Sequence, residues 1–381
     1  MSRFTRAGVQ IQQLIRFGGV AAAILTAGII LSTGTSLRAD GHDQFNKKGN
    51  IVIADQFNNR VIEIDPDTHK VVWQFGDGSD KPGAHSIVGT NDAERVGEFT
   101  LISGTGIPAA TPALPGCSDP VNGCPDNRVI VVDEKGQIVW QYGEDGGVAG
   151  AGPNQLNVPV AATFLPNGDI LITDQSNERV IEVNRKKEIV WQYGVTGVIG
   201  SAPCTPGVTP GELNNPNSAE LLENGHILIA DENNNRVIEV DRTCNIIHTF
   251  TAGNTVSGAA FASRLENGNT LITDSNNSRI VEVDANDSVV WQYFTNTRPG
   301  SIASPLPTRA VRLRNGNTLI SDQFNNQVIE VNHAMDIVFT QGGFLPGNGF
   351  DELNGPYDAK VVGDFTGLTR PPKLKDDFSG E

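Results

Sequence analysis

A chain of 381 residues, 38% of them hydrophobic, is long enough for one large domain or two ordinary ones. Its 42 glycines, 21 prolines and 6% aromatics suit many short strands joined by turns and argue against long helices. The formal net charge of −16 repels phosphate backbones and anionic lipid, which argues against nucleic acid and leaves cations or basic partners as the compatible ligands.

The first elements differ from the rest. Arg3, Arg6 and Arg16 precede the apolar run Val20–Leu31, and Ser36-Leu37-Arg38-Ala39 ends in a small residue. That order reads as a secretory signal over residues 1–39, the run being short of the roughly 20 residues a membrane span needs. The weakly apolar flanks leave an uncleaved N-terminal anchor as the alternative. Either reading makes the domain periplasmic or secreted, with no further span expected. Residues 40–49 read as a linker, 50–366 as the folded domain and 367–381 as a polar tail.

One phrase, Asp-x-x-Asn-x-Arg-Val-Ile-Glu-Val-Asp, organises the domain. It stands at Asp55–Asp65, Asp174–Asn184, Asp231–Asp241, Asp274–Asp284 and, with Gln327 in place of Arg, at Asp322–Asn332; a partial sixth copy is Asp126–Asp133. Each copy lies in a unit of four short strands, a to d. In the third unit, Ala161–Leu165 reads as strand a, Ile170–Thr173 as b, Arg179–Val183 as c and Glu188–Tyr193 as d, with turn residues between them. Trp73, Trp140, Trp191 and Trp291 share one place in strand d, filled by His248 and Phe339 in the other units. A four-stranded unit with a periodic aromatic is the pattern of a propeller blade.

Closure is also legible. Asn50–Phe75 supplies strands b, c and d with no strand a before them, and Pro356–Val362 supplies a strand a with nothing after it. Together they complete one blade and leave no open edge. Aligned on their turns, the six strands a carry Ala93, Ala162, Ala219, Ala262, Ala310 and Ala359, as expected where blades crowd towards an axis. The expected fold is an all-β, six-bladed propeller of four-stranded antiparallel blades, its ring closed by N- and C-terminal strands in one blade.

The Asn-Gly-Asn and Asn-Gly-Asp turns and repeats such as Asp231–Val237 resemble the NHL-type six-bladed propellers, across about Asn50 to Phe365. Asp65–Trp73 is similar to the tryptophan-docking repeat of quinoprotein propellers, with His69 where that motif has Gly. The NHL-type group contains both binding modules and enzymes, so its likeness implies the fold and not the activity.

Loop lengths separate the two faces of such a ring. The a–b and c–d turns are short, as in Asn224-Gly225. The d–a and b–c connections are long, among them Gly76–Thr90, Gly143–Val158, Gly194–Pro216 and the insertion Gly104–Pro125. Long loops on a rigid scaffold carry binding function. At the centre of that face stand Asp92, Asn217, Ser218, Arg309, Tyr357 and Asp358, the expected ligand-binding set. Asp92, Asn217 and Asp358 offer oxygens to a hard cation such as calcium. The axial metal of six-bladed lactonases and related hydrolases makes a calcium-dependent hydrolase the alternative function. A purely structural reading pairs Arg309 with Asp358 as a plug.

The recurring Asp-x-x-Asn-x-Arg occurs too often for one active site and reads as a device for fixing turns. The six histidines are scattered, and only His85 falls on a long-loop connection, so no catalytic set is predicted. Cys117 and Cys124 share the b–c insertion and are expected to form a disulfide that stiffens it. Cys204 and Cys244 fall on opposite faces and can pair only if the Gly194–Pro216 loop drapes down the outside of the ring. The leading expectation is a monomeric binding module for a protein or small polar ligand, with no cofactor beyond calcium.

Overall fold

The computed structural model describes residues 44–205 and 211–374. The predicted signal or anchor lies outside these residues. Six four-stranded antiparallel sheets form the blades. Blade 1 joins β1 (Ile51–Asp55), β2 (Arg60–Asp65) and β3 (Lys70–Phe75) to β24 (Pro356–Val361). Blade 2 holds β4 (Thr90–Val96), β5 (Phe99–Gly104), β6 (Arg128–Val132) and β7 (Ile138–Tyr142). Blade 3 holds β8 (Pro159–Phe164), β9 (Ile170–Asp174), β10 (Arg179–Val183) and β11 (Ile189–Tyr193). Blade 4 follows with β12 (Pro216–Leu221), β13 (Ile227–Asp231), β14 (Arg236–Val240) and β15 (Ile246–Phe250). Blade 5 holds β16 (Ala259–Arg264), β17 (Thr270–Asp274), β18 (Arg279–Val283) and β19 (Val289–Phe294). Blade 6 holds β20 (Arg309–Arg312), β21 (Thr318–Asp322), β22 (Gln327–Val331) and β23 (Ile337–Gln341).

The expected closure is present: β24 pairs with β1, setting Ala359 opposite Ile53. Four boundaries in the third unit differ from expectation, strand a ending at Phe164 rather than Leu165 and strand b at Asp174 rather than Thr173. Strand a begins at Pro159 rather than Ala161, and strand d at Ile189 rather than Glu188. Pro159 pairs with Asp174 across a bulge that absorbs the missing N–H.

The repeated phrase builds the b–c corner. Asp55 Oδ2 accepts from Asn58 Nδ2 and Arg60 Nε, each at 2.7 Å, while its Oδ1 accepts the Asn354 N–H at 2.8 Å. Asp174, Asp231 and Asp274 repeat this arrangement in blades 3, 4 and 5. One buried carboxylate thus closes a short 3-10 turn, holds an arginine and ties down the loop that enters its own blade. In blade 6, where Gln327 replaces the arginine, Arg298 from the preceding d–a loop reaches Asp322 instead. The corner keeps its charge balance by a different route.

In four blades a left-handed asparagine at the end of the b–c corner latches the next blade with its side chain. Asn59, Asn127, Asn235 and Asn326 accept the N–H of Gly89, Val158, Gly258 and Gly355 at 2.8–3.0 Å. Asparagine suits both tasks, since it tolerates positive φ and carries a short acceptor. On strand d, each tryptophan donates its indole N–H to a c–d turn carbonyl of the next blade, from Trp73 to Glu134 at 3.0 Å through Trp291 to His333 at 3.3 Å. The tryptophan series is therefore packing between blades.

Residues 363–374, read from sequence as domain end and polar tail, run across the a–b turn face. Asp364 accepts the Arg314 N–H at 2.9 Å in blade 6, and Thr369 Oγ1 accepts the Leu221 N–H at 2.9 Å in blade 4. Leu368 packs against the blade 6 and blade 1 core, and Leu374 against that of blades 2 and 3. The segment lies beneath the channel as a strap.

Candidate functional site

The six candidate residues come from the starts of strands a, where the inner strands converge. Asp92, Arg309 and Asp358 do meet. Arg309 lies 2.9 Å from Asp92 and 2.6 Å from Asp358. Lys360, which the sequence reading missed, sits 2.5 Å from each of the same carboxylates. All four are buried or nearly so, and the two charges of each sign cancel.

The remaining acceptor positions serve the ring itself. Asp358 Oδ2 accepts the Ala93 N–H at 3.0 Å, Asp92 Oδ2 the Ala162 N–H at 2.7 Å, and Ser218 Oγ the Ala262 N–H at 3.3 Å. Each stitches one inner strand to the next. Two places further along, Glu94 accepts the Phe164 N–H at 2.9 Å and Glu220 the Arg264 N–H at 3.0 Å. The alternating pleat points both positions at the neighbouring blade.

Tyr357 and Asn217 form a separate pair. They face each other from blades 1 and 4, on opposite sides of the ring, with Tyr357 Oη 3.1–3.2 Å from the Asn217 amide. Asn217 Nδ2 also donates to Glu232 at 2.9 Å, and Asn215 links Glu232 to Glu178. This polar chain spans the upper mouth of the channel, and the strap crosses the lower one.

Electrostatics follow from burial and pairing. Burial opposes it, but Arg309 and Lys360 hold the Asp92 carboxyl well below the usual carboxylate range. Burial pushes Asp358 up to about 6, with Arg309 and Lys360 pulling the other way. Burial also raises Glu94 to about 7, Glu178 to about 7, and Glu220 well above its ordinary value. Removing one member of a buried, neutralised network of this kind strands an uncompensated charge, whereas the intact network adds little net stability over apolar packing.

The set does not fit calcium. A hard cation needs six to eight oxygens and uncompensated negative charge, whereas Asp92 and Asp358 are neutralised by Arg309 and Lys360, and the Asn217 amide is taken by Tyr357 and Glu232. Among the described residues, no group of three or more His, Cys, Asp or Glu is arranged to hold a metal. Of the six expected ligand-binding residues, Asp92, Arg309 and Asp358 meet one another, Asn217 meets Tyr357, and Ser218 holds the Ala262 N–H.

The long-loop face also exposes large apolar side chains. Val121 on the b–c insertion, and Leu345 and Phe350 on the loop from blade 6 to blade 1, are 77%, 82% and 71% exposed. The insertion is fixed by the expected Cys117–Cys124 disulfide, with Cα atoms 5.6 Å apart, and by Asn59 donating to the Gly116 carbonyl at 2.6 Å. Cys204 and Cys244 are also bonded, with Cα atoms 5.8 Å apart, so that loop does drape over the rim. Nothing in hydropathy alone marks these exposed tips, because the loops also bury Leu156, Leu213 and Leu353.

The comparisons agree with this architecture. A solved protein of unknown function from Bacteroides caccae is similar at 14% identity and a TM-score of 0.54, over 82% of this chain and 98% of that one. A catalytically inactive virginiamycin B lyase from Staphylococcus aureus, solved with quinupristin, gives 13% identity and a TM-score of 0.47 over 78% and 85%. At 14% identity the likeness to the Bacteroides caccae protein is one of fold alone. Protein brain tumor of Drosophila melanogaster is 25% identical over 156 residues, 40% of this chain but 13% of that protein. The PQQ_2 family model, described as outer membrane protein assembly factor BamB, matches residues 125–336, more than half of the chain. With six blades, paired inner strands and docked tryptophans already in place, the chain belongs to this BamB-type propeller family.

Proposed function

We propose that this protein is an exported, non-catalytic propeller that binds a partner protein through its long-loop face. One observation carries the reading: large apolar side chains stand exposed at Val121, Leu345 and Phe350 on loops held by a corner asparagine and a disulfide. Exposed apolar groups on a rigid frame mark interaction surfaces. The family's description as an assembly factor supports a role in complexes, and both disulfides support an oxidising compartment. The corner phrase supports an NHL-type repeat. The ring acts as a monomer, and the partner is neither nucleic acid nor an anionic surface, given the net charge of −16.

Photo-crosslinking in the intact cell envelope tests this. A benzoyl-phenylalanine at Leu345 is expected to give a discrete adduct, while one at the rim residue Val338 or the short-turn residue Asn267 gives none. Adducts confined to Val338 would move the interface to the outer strands.

A further inference from the structure

The long-loop face is not equivalent around the ring. In the b–c turns, blades 1 and 6 carry phenylalanine at the second position, Phe57 and Phe324, where blades 3, 4 and 5 carry Ser176, Asn233 and Asn276. Phe57 and Phe324 stack with centroids 6.3 Å apart, and beside them Gln323 donates to Gln56 at 2.6 Å. The disulfide loop sits on one flank of this pair through Leu114 and Cys117. On the other flank, the Phe324 N–H bonds to Pro305 at 2.9 Å, Ile302 is tied to Asn325 at 3.1 Å, and the Phe344 ring lies against Gly300. Leu345 is next to Phe344, and Asn58 pins Gly347 at 2.7 Å in the loop that carries Phe350. Phe57 itself is buried, and around it the exposed apolar side chains Leu345 and Phe350, between blades 6 and 1, and Val121, on the blade 2 insertion, share one half of the face.

The charge at its border is mostly negative. The two arginines within it are already engaged, Arg60 with Asp55, and Arg298 with Asp322 and the Phe344 face. At its border Asp77 and Asp119 are bonded only to neighbouring backbone or amide N–H groups, and Asp351 is bonded to the Gly342 N–H beside His69. Lys81 is the exposed cation at that border. We infer that the blade 6–1–2 half of this face docks a protein segment that combines large apolar side chains with lysines or arginines. The inference rests on the reading of the long-loop face given above and narrows it to one half and one partner chemistry. Apolar anchors supply the affinity there, and complementary charge selects the partner and speeds its encounter.

The test uses purified protein and three labelled 14-residue peptides: alternating Leu-Lys, alternating Leu-Glu, and alternating Ser-Lys. Binding is read by anisotropy against wild type, a Leu345→Ser/Phe350→Ser variant, and a Val198→Ser/Ile199→Ser variant from the opposite half. Leu-Lys is expected to bind wild type and the opposite-half variant alike, and to bind Leu345→Ser/Phe350→Ser about tenfold or more weakly, the scale of losing anchor residues. Leu-Glu and Ser-Lys are expected to bind at least about tenfold more weakly than Leu-Lys. If the opposite-half variant alone weakens Leu-Lys, this inference fails while the long-loop reading stands. If neither variant matters and crosslinks fall on the outer strands, both fail. Equal binding of Ser-Lys, no binding of Leu-Lys, or binding to neutral phosphatidylcholine vesicles that Leu345→Ser/Phe350→Ser abolishes, would each overturn the proposal.

Discussion

The channel and the long-loop rim are joined by the same strands yet treat their side chains in opposite ways. In the channel, Asp92, Asp358, Arg309 and Lys360 are charged, buried and fully engaged with one another. On the rim, Leu345 and Phe350 are apolar and left in water. Reactive residue types on a propeller axis thus record how six inner strands are held in register. Residues that cost something to expose, with no partner inside the ring, point to what the protein meets outside it. The contrast also explains why a search for chemistry by residue type leads first to the axis.

The largest test is to unbalance the channel. Arg309→Ala leaves two buried carboxylates sharing Lys360 and is expected to cost about 3–5 kcal/mol in chemical denaturation. Adding Asp358→Ala restores one charge of each sign, so the double variant is expected to be the more stable of the two. A double variant less stable than the single one would mean that Asp358 matters mainly as a strand-to-strand acceptor.

A comparable effect should appear with pH. Burial raises Glu94 to about 7 from its ordinary 4.5. Between those values the folded chain keeps a proton that the unfolded chain releases. The contribution to stability is thus fully present below pH 4.5 and lost as pH rises through 7. Glu94→Gln is expected to flatten the fall in stability across this window by about 3 kcal/mol. An unchanged pH profile would mean that the buried carboxyl titrates elsewhere.

A smaller effect sharpens the account of the corners. Arg298→Ala exposes the Asp322 charge to burial without its cation and is expected to cost about 2–3 kcal/mol. Gln327→Arg in that background re-creates the corner of the other blades and should recover most of the loss. No recovery would show that the loop, and not the charge, is what blade 6 lacks. The smallest effect is on the rim: Leu345→Ser with Phe350→Ser is expected to change stability by less than about 0.5 kcal/mol. A thermal shift beyond that range would mean that these side chains have a partner within the ring.

Much of the fold is legible in the sequence because it is written six times over. Asp55, Asn58 and Arg60 recur at fixed spacing, and the split blade needs only a missing strand a and a surplus one. The site is less legible because its key contacts break the repeat. Lys360 stands where the other inner strands carry Glu94, Thr163, Glu220, Ser263 and Val311, so no periodicity announces it. Arg298 replaces the missing corner arginine from a loop 24 residues away. The strap over residues 363–374 has neither strand nor helix period, and its bonds to Arg314 and Leu221 and the packing of Leu368 and Leu374 reveal its course. Glu178 holds an asparagine's place, accepting the Asn215 N–H at 2.5 Å from the left-handed position; its longer side chain disguises the latch.

The two segments that flank the ring, 44–50 and 363–374, both lie on the short-turn face, where Asn46 bonds to Glu63 and Asp364 to Arg314. A linker joined directly at residue 44 or residue 374 therefore starts from that side. A tether at the amino end, a fused domain at the carboxyl end, or a purification handle on a sensor chip would all hold the molecule by its back and turn Leu345 and Phe350 towards the solution. Orientation on a support is therefore built into the ring, and a surface-capture assay of residues 44–374 should work equally well from either end.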